Sequence, residues 1–150
     1  MYQVTLPDGW TISDDRSRLD LELLHRFLSV EAYWARGRSR AIMERAFANS
    51  LCFGLYAPNG SQAGFARVVS DHAIIAHMND VFVLPAWRGR GLGKELVAAA
   101  LAHPELATVI RWTLSTDDAH GLYAAFGFTP LPRPETSMVR IVAEQPPETS

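Results

Sequence analysis

The sequence predicts a single α/β (α+β) domain whose mixed, mostly antiparallel central sheet of about six or seven strands carries helices on both faces. A length of 150 residues suits one domain with its own core. Apolar residues make up 48% and charged residues 20%, as in globular proteins. Helical and β-type patterns alternate along the chain, which is typical of a sheet covered by helices. We expect the domain to span residues 1–143 and the polar, proline-rich residues 144–150 to form a flexible tail.

The first part of the chain predicts one strand followed by two helices. The run WTISDD (10–15) has the alternation of an edge strand, and leucines then recur at helical spacing over residues 19–34. Ser17 and Asp20, three residues apart, resemble a capping box at the start of this helix. The segment ARGRSR interrupts the helical spacing, which resumes in SRAIMERAFANS (39–50) as a second helix.

The second part predicts a β-meander and then alternating helices and strands. Two β-rich runs, LCFGLY and QAGFARVVSD, flank the turn signal Pro-Asn-Gly at 58–60, where Asn and Gly tolerate positive φ. The run AIIAHMNDVFV continues the meander, and a helix follows from Leu92 to the residues before Pro104. We expect TVIRWTLST to be a strand, DDAHGLYAAF a short helix closed by Gly127, and SMVRIVA (137–143) the last strand.

Charge and composition exclude several classes of function. The chain contains fourteen basic and sixteen acidic residues. The resulting net charge of -2 favours neither a nucleic-acid partner nor a membrane partner. Cys52 is the single cysteine, and His72 and His77, close to Asp71 and Asp80, lack the spacing of a metal site, so we expect no metal. The longest apolar run near a helix is too short to cross a bilayer and the first residues lack a signal-peptide pattern, which predicts a cytoplasmic protein.

The most distinctive stretch is PAWRGRGLGKEL (85–96), in which three glycines alternate with basic residues. A strand that runs into a glycine-rich turn and then a helix presents unpaired N–H groups and the positive end of the helix dipole. Glycine lets an anion approach the backbone and reaches φ angles that cost other residues energy. This stretch therefore predicts a phosphate-binding loop.

Two well-known phosphate loops do not fit this stretch. The Walker loop requires glycine where Arg88 stands and serine or threonine where Glu95 stands. The dinucleotide fingerprint requires a third glycine where Lys94 or Leu96 stands.

The pattern R-x-x-G-x-G does fit, at residues 88–93 directly after the strand DVFV, and here the sequence resembles the GNAT superfamily of N-acetyltransferases. A second stretch, TDDAHGLYAAFGFTPL, resembles the family's other signature, with Ala119, Tyr123, Gly127 and Phe128 at its marked positions. Together the two matches cover about residues 79–131, while the part before them matches only in the order of its elements.

The resemblance implies a GNAT-like fold and an acetyl-CoA-dependent N-acetyltransferase that acts on a primary amine of a small molecule or a protein. It also implies a homodimer, since many relatives form one. The alternative is a non-catalytic acyl-CoA or nucleotide-binding module that keeps the loop without turnover.

Contacts with coenzyme A follow from the same resemblance. The implied cofactor-binding residues are Arg88, Gly89, Arg90, Gly91, Leu92, Gly93, Lys94, Thr116 and Tyr123. Thr116 stands where relatives often have Asn. A backbone amide of the preceding strand would face the thioester, and by position this is Phe82 or Val83.

Tyr123 and Asp80 are the candidate catalytic residues. A phenol with an ordinary pKa near 10 stays protonated at neutral pH, so Tyr123 can give its proton to a departing thiolate. Asp80 is placed to accept the proton of the amine or to bind a cationic acceptor, or else it is a strand-end carboxylate bonded to nearby backbone. Strand alternation puts Asp80 opposite Asn79 and His77, so only one of these two sets would face the acceptor, and the sequence does not decide which.

The acceptor pocket is expected to draw on the first half of the chain. In the family the loop between the first two helices lies over the acceptor side, which corresponds to EAYWARGRSR. Its three arginines, at 36, 38 and 40, suit a carboxylate or phosphate on the substrate, or else form a solvated basic turn. His120, one helical turn before Tyr123, is a reserve acid or base. The candidate pocket residues are Tyr33, Trp34, Arg67 and His120.

Overall fold

The computed structural model, which describes residues 1–146, contains one six-stranded sheet with its strands in chain order. The strands are β1 (Gln3–Thr5), β2 (Thr11–Ser13), β3 (Leu51–Tyr56), β4 (Gln62–Ser70), β5 (Ile75–Val83) and β6 (Arg111–Thr113). The α-helices are α1 (Leu21–Arg26), α2 (Arg40–Ala48), α3 (Leu92–Leu101) and α4 (His120–Ala124). Of the expected tail, residues 147–150 lie outside the described part of the chain.

Strand pairing changes direction once across the sheet. Neighbouring strands from β1 to β5 are antiparallel, whereas β5 and β6 are parallel and pair over only three residues, from Ile75 with Arg111 to His77 with Thr113. β5 then continues to Val83 without a partner in β6. The sheet is therefore open on one side of β5, and this opening locates the site.

Helices cover both faces of the sheet, as predicted. One buried cluster includes Leu96 and Val97 of α3, and the other includes Leu24 of α1 and Met43 of α2. Apolar side chains at helical spacing face the sheet in each case. Cys52 belongs to the second cluster, where it is 3% exposed.

A β-bulge interrupts the pairing of β4 with β5. Phe65 pairs with Phe82 and Arg67 pairs with Asn79, so β5 holds one more residue than β4 across this stretch. Asp80 lies within the bulge and has a φ of 51°. This left-handed conformation is uncommon for a residue with a side chain and is tolerated best by Asp and Asn.

The bulge reverses the faces on which β5 presents its side chains. Met78 packs in the cluster under α3, whereas Phe82, four residues later, packs in the cluster under α1 and α2. An uninterrupted strand would place both on one face. The prediction that Asp80 lies opposite Asn79 and His77 is therefore wrong, and all three residues line one cavity.

The outermost strands of the sheet differ from the prediction. The run at 10–15 forms β2, which lies inside the sheet because the unpredicted strand Gln3–Thr5 pairs with it. Three residues are too few for alternation to reveal a strand in the sequence. Within residues 1–146, the segment 137–143 forms no strand, although its composition predicts one.

The first helix also differs from the prediction. It does not extend over 19–34: α1 passes into a π-helical turn at Phe27–Glu31 and ends there. Its N-cap is Asp20, whose carboxylate accepts a hydrogen bond from the N–H of Leu23, while Ser17 bonds to Asp15 instead of forming a capping box. No helix among the described residues combines the length and apolarity needed to span a bilayer.

Candidate active site

A cavity of about 270 Å³ opens where β5 loses its pairing with β6. Three parts of the chain form its wall: the loop between α1 and α2, the bulged stretch of β5, and the residues between β6 and α4. The lining residues are Tyr33, Trp34, Arg38, His77, Met78, Asn79, Asp80, Val81, Leu114, Ser115, Thr116, Asp117, Asp118, Ala119 and Tyr123. The bulge thus brings polar groups of β5 to the open side of the sheet.

The glycine-rich loop connects β5 to α3 and is exposed. Gly89 and Gly91 have φ angles of 80° and 77°, and a Cβ atom added at either would meet nothing within 4 Å. Gly91 is the N-cap of α3, and no side chain caps this helix. Within the described residues, no N–H group from 89 to 94 has a hydrogen-bond partner. This row of free donors in open space, at a helix N-terminus, fits a diphosphate.

Basic side chains surround the loop without closing it. Arg88 Nε donates a 2.9 Å hydrogen bond to the carbonyl oxygen of Val83, and the Arg90 guanidinium lies 4.9 Å from the ring centre of Trp87. Lys94 is exposed in the first turn of α3. These cations add positive charge beside the free amides.

The contact with Arg88 also orients the backbone of Val83. The N–H of Leu84 donates a hydrogen bond to the carbonyl oxygen of Ala63 in β4. Antiparallel strands bond to each other at alternate residues, so the N–H and carbonyl of Val83, the next residue back, point away from β4. The N–H and carbonyl of one strand residue point to the same side. Of Phe82 and Val83, the geometry favours Val83 as the residue whose N–H faces the opening.

Tyr123 lines the cavity and is 8% exposed. Burial raises the pKa of its phenol to about 12, and the nearby Tyr33 and Asp118 act in the same direction. The ring packs edge-on against Phe128, with ring centres 5.9 Å apart. The phenol is therefore protonated throughout the neutral range, as a proton donor must be.

Asp80 is held by three side chains. Its Oδ1 accepts from Trp34 Nε1 at 2.9 Å and from Arg38 Nη1 at 3.3 Å. Its Oδ2 accepts from Arg67 Nε at 2.8 Å and from Arg38 Nη1 at 3.1 Å. A carboxylate offers about four lone-pair sites, and these contacts occupy all of them. The geometry favours a buried structural anion over a base with a free lone pair.

His77 also lines the cavity, and sequence reasoning assigned it no catalytic role. Its Nδ1 lies 2.6 Å from Thr113 Oγ1, so the last pair of residues joining β5 to β6 holds the ring. Burial, and secondly the charge of Arg67, lower the pKa of His77. The imidazole is neutral at pH 7 and has one ring nitrogen, Nε2, with no hydrogen-bond partner among residues 1–146. The place of His77 beside Thr113 follows from the register of β5 against β6, for which the sequence carries no local signal.

The predicted aromatic wall of the acceptor pocket lies at the cavity. Tyr33 and Trp34 both line it, with ring centres 5.0 Å apart in an edge-on arrangement, and Tyr33 Oη accepts a hydrogen bond from the Asp117 N–H at 3.2 Å. Thr116 lines the cavity too, and its hydroxyl accepts from the N–H of Ala119, the N-cap residue of α4, at 3.0 Å.

The other predicted pocket residues are placed differently. Arg67 lies behind Asp80 and does not line the cavity, and His120 is exposed at the start of α4, outside the lining. Arg38 is committed to Asp80, and Arg40 pairs with Glu44 along α2 at 3.6 Å. Recognition of a substrate anion by these loop arginines therefore has little geometric support. Residues 1–146 contain no group of three or more side chains suited to hold a metal ion.

Comparison with known proteins identifies relatives of this arrangement. Residues 48–130 match the family model described as "Acetyltransferase (GNAT) domain". The crystal structure of a candidate GNAT-family acetyltransferase from Xanthomonas campestris pv. campestris is 49% identical, covers 89% of this chain and 93% of its own, and superposes with a TM-score of 0.85.

Two more distant proteins are similar over most of their length. A candidate acetyltransferase from Gibberella zeae is 27% identical over 147 residues, which cover 80% of this chain and 82% of that protein. A Staphylococcus aureus structure described as a probable acetyltransferase shares the fold at 21% identity, with a TM-score of 0.72 and coverage of 89% and 99% of the two chains.

Proposed function

The chain belongs to the GNAT acetyltransferase family, and from this we propose that it is an N-acetyltransferase that moves the acetyl group of acetyl-CoA to a primary amine of a small molecule or a protein. One observation carries the proposal. Among residues 1–146, the backbone N–H groups at 89–94 have no hydrogen-bond partner, and they follow β5, whose bulged stretch lines a polar cavity. Family membership supports acyl transfer in general, and the residues of the cavity support the amine acceptor.

The loop is suited to hold the diphosphate of coenzyme A. Free N–H groups from Gly89 to Lys94 donate to phosphate oxygens, and Arg88, Arg90 and Lys94 add charge-assisted contacts. When bound, acetyl-CoA supplies an acetyl group activated as a thioester. The N–H of Val83 points away from β4 and is placed to donate to a carbonyl oxygen on which negative charge develops.

Tyr123 serves as the general acid in this proposal. Its phenol lines the cavity and, with a pKa raised by burial to about 12, keeps its proton at neutral pH until a thiolate sulfur takes it. A thiol has an ordinary pKa near 8.5, so the Tyr123 phenol is the weaker acid of the two. The phenol therefore stabilises the leaving sulfur through a hydrogen bond as negative charge develops, and transfers its proton only while the sulfur lies beside it. Thr116 retains a hydroxyl hydrogen with which to contact coenzyme A while its oxygen accepts from the Ala119 N–H.

His77 is the better candidate for the base, and Asp80 for a positioning role. The neutral imidazole presents Nε2 as an acceptor for the proton of the attacking amine, directly or through water, while Thr113 holds Nδ1. Asp80 holds Trp34 and Arg38 in the cavity wall through both carboxylate oxygens. The aromatic pair Tyr33 and Trp34 suits an acceptor that carries an apolar or cationic group next to its amine.

The test of this function is a thiol-release assay over a panel of amines, together with calorimetry of coenzyme A binding. The panel contains polyamines, aminoglycosides, amino acids and peptide N-termini, with acetyl-CoA as donor and free thiol as readout. We expect binding and acceptor-dependent thiol release. Binding without release from any acceptor would support the non-catalytic coenzyme A module instead, and absence of binding would contradict both functions.

A further inference from the structure

A groove of about 300 Å³ lies on the sheet next to the cavity of the candidate active site. It is formed where β4 ends and β5 begins, together with β6, and we call it the side groove. His77 lines both the cavity and the side groove. Val69 and Ile75 also line the side groove, and they are 43% and 52% exposed. The side groove therefore continues the cavity past His77 over an apolar surface.

The side groove lies on the face of the sheet that α1 and α2 cover elsewhere. Val68 and Ala76 pack in the cluster under α3, and side chains alternate between the two faces along a strand. Val69 and His77, the next residues along β4 and β5, therefore point to the opposite face. Among residues 1–146, Val69 and Ile75 belong to neither buried cluster, so α1 and α2 leave this end of the face open.

Strand register arranges the side groove in two rows. Val69, His77 and Thr113 are paired across β4, β5 and β6, and Ile75 pairs with Arg111 in the row farther from the cavity. Residues two apart on a strand are separated by about 6.7 Å and neighbouring strands by about 4.8 Å, so the Cα atoms of His77 and Arg111 lie roughly 8 Å apart along a diagonal. Ile75 and Thr113 lie on either side of this diagonal.

Arg111 supplies the open cation of the side groove. Its side chain is exposed, and its guanidinium takes part in no ion pair within residues 1–146. The carboxylate of Asp71 also lines the groove, but its Oδ1 accepts hydrogen bonds from the N–H groups of residues 73–75 and fastens the turn between β4 and β5. The side groove thus presents an apolar surface with the neutral imidazole of His77 at one end and an uncommitted cation at the other.

Given the proposed acetyl transfer, on which this inference rests, we propose that the acceptor is an ω-amino acid, a primary amine joined to a carboxylate by an unbranched chain of about five methylene groups. A molecule of this length spans the diagonal from His77 to Arg111. Its amine lies at His77 Nε2 and its chain packs against Ile75, which removes apolar surface of both molecules from water. Its carboxylate accepts charge-assisted hydrogen bonds from the Arg111 guanidinium.

The side groove contacts the acceptor away from the bond that forms. The amine nitrogen bonds to the acetyl carbon as the carbon–sulfur bond breaks, one proton of the nitrogen passes to His77, and the sulfur receives a proton from Tyr123. The products are an N-acetyl ω-amino acid and the free thiol of coenzyme A. Arg111 therefore determines which amine is selected and takes no part in the transfer itself.

Thiol release from two acceptors of equal length measures the role of the carboxylate. We expect kcat/KM for 6-aminohexanoate to exceed that for hexylamine at least about tenfold in the wild type, as one charge-assisted contact provides. Arg111→Gln should bring this ratio to about one. Arg45→Gln, which removes an exposed arginine of α2 outside both the cavity and the side groove, should keep the wild-type ratio. A wild-type ratio near one, or a ratio insensitive to Arg111→Gln, would overturn the inference.

Methyl NMR detects binding in the side groove whether or not the chain turns over. When 6-aminohexanoate is added to the chain with coenzyme A, the Ile75 methyl signals should shift, and those of Ile12, which is buried in the cluster under α3, should not. Unmoved Ile75 signals would overturn the inference even if other amines release thiol. Shifted Ile75 signals without thiol release from any amine would instead reject the proposed acetyl transfer and support the side groove as a binding site for ω-amino acids.

Discussion

The indole N–H of Trp34 donates a 2.9 Å hydrogen bond to Oδ1 of Asp80, forty-six residues further along the chain. This bond ties the loop after α1 to the bulge in β5, and Arg38 and Arg67 hold the same carboxylate. The part of the cavity wall that this loop forms therefore depends on one buried anion.

Replacing that anion should destabilise the domain. Asp80→Asn keeps the shape of the side chain but leaves two guanidinium groups without their counter-charge, so the free energy of unfolding should fall by about 3 kcal/mol. Urea unfolding measures the change. Glu44→Gln breaks the half-exposed pair with Arg40 and is the control, with an expected loss below about 0.5 kcal/mol. Similar losses in the two variants would refute the structural role of Asp80.

Removing the phenolic hydroxyl of Tyr123 should slow the reaction without weakening cofactor binding. We expect Tyr123→Phe to lower kcat at least about 100-fold, since no other proton donor of the cavity is assigned to the leaving sulfur, while the Kd for acetyl-CoA stays within twofold. Tyr2→Phe is the control, because the Tyr2 hydroxyl bonds to the Ala99 carbonyl outside the cavity. Equal kcat values in Tyr123→Phe and the wild type would remove Tyr123 from the mechanism.

The role of His77 predicts a pH dependence. Because burial lowers the pKa of His77, the imidazole loses its free base form only as pH falls through a value below 6.5, and kcat/KM should decline over that range. His77→Gln should lower kcat/KM at pH 7.5 and abolish this acid limb. The titration of the amine substrate is common to the wild type and the variant, so dividing one pH profile by the other removes it. His120→Gln, at an exposed position outside the cavity, should keep the limb. A limb that persists in His77→Gln would exclude this base.

The left-handed backbone at Gly91 predicts a loop that tolerates no side chain. Gly91→Val places a β-branched residue at a φ of 77°, which costs about 1–2 kcal/mol, and puts its methyl groups beside the free amides. We expect the Kd for coenzyme A to rise at least about tenfold by calorimetry. Gly121→Ala adds a Cβ in α4, where φ is not positive and nothing lies within 4 Å, and should leave this Kd unchanged. Wild-type affinity in Gly91→Val would contradict phosphate binding at the loop.

Tyr56 offers a test of stability away from the site. Its hydroxyl is buried against Gly54 and has no hydrogen-bond partner among the described residues, and burial raises the pKa of the phenol to about 12. Tyr56→Phe removes an unsatisfied polar group and should raise the free energy of unfolding by about 1 kcal/mol. Tyr2→Phe, which removes a satisfied hydroxyl, should lower it by a similar amount in the same thermal or urea experiment. A loss of stability in Tyr56→Phe would show that the hydroxyl has a partner.

Local chemistry explains why much of this arrangement could be predicted from sequence. The loop of alternating glycines needs positive φ at Gly89 and Gly91, and both have it. Pro-Asn-Gly at 58–60 forms the expected hairpin turn, and leucines at helical spacing form the buried faces of α1 and α3. In each case a few adjacent residues determine the conformation.

Long-range pairing explains what sequence could not predict. The bulge at Asp80 arises from the register of β4 against β5, and it changes which side chains reach the cavity without any local sequence signal. The anchoring of Asp80 by Trp34 and the place of His77 beside Thr113 likewise depend on contacts across many residues. The segment 137–143 shows the converse, because its β propensity does not by itself make a strand in the described structure.

Burial of Cys52 makes the chain well suited to colorimetric work with sulfhydryl reagents. Its Sγ donates to the Phe47 carbonyl, and burial raises the pKa of the thiol to about 11, so it is neither accessible nor ionised in the native state. With one cysteine in the chain, every equivalent of colour above the blank in a native sample comes from released coenzyme. Adding denaturant then titrates one further equivalent per chain, which calibrates enzyme concentration in the same cuvette.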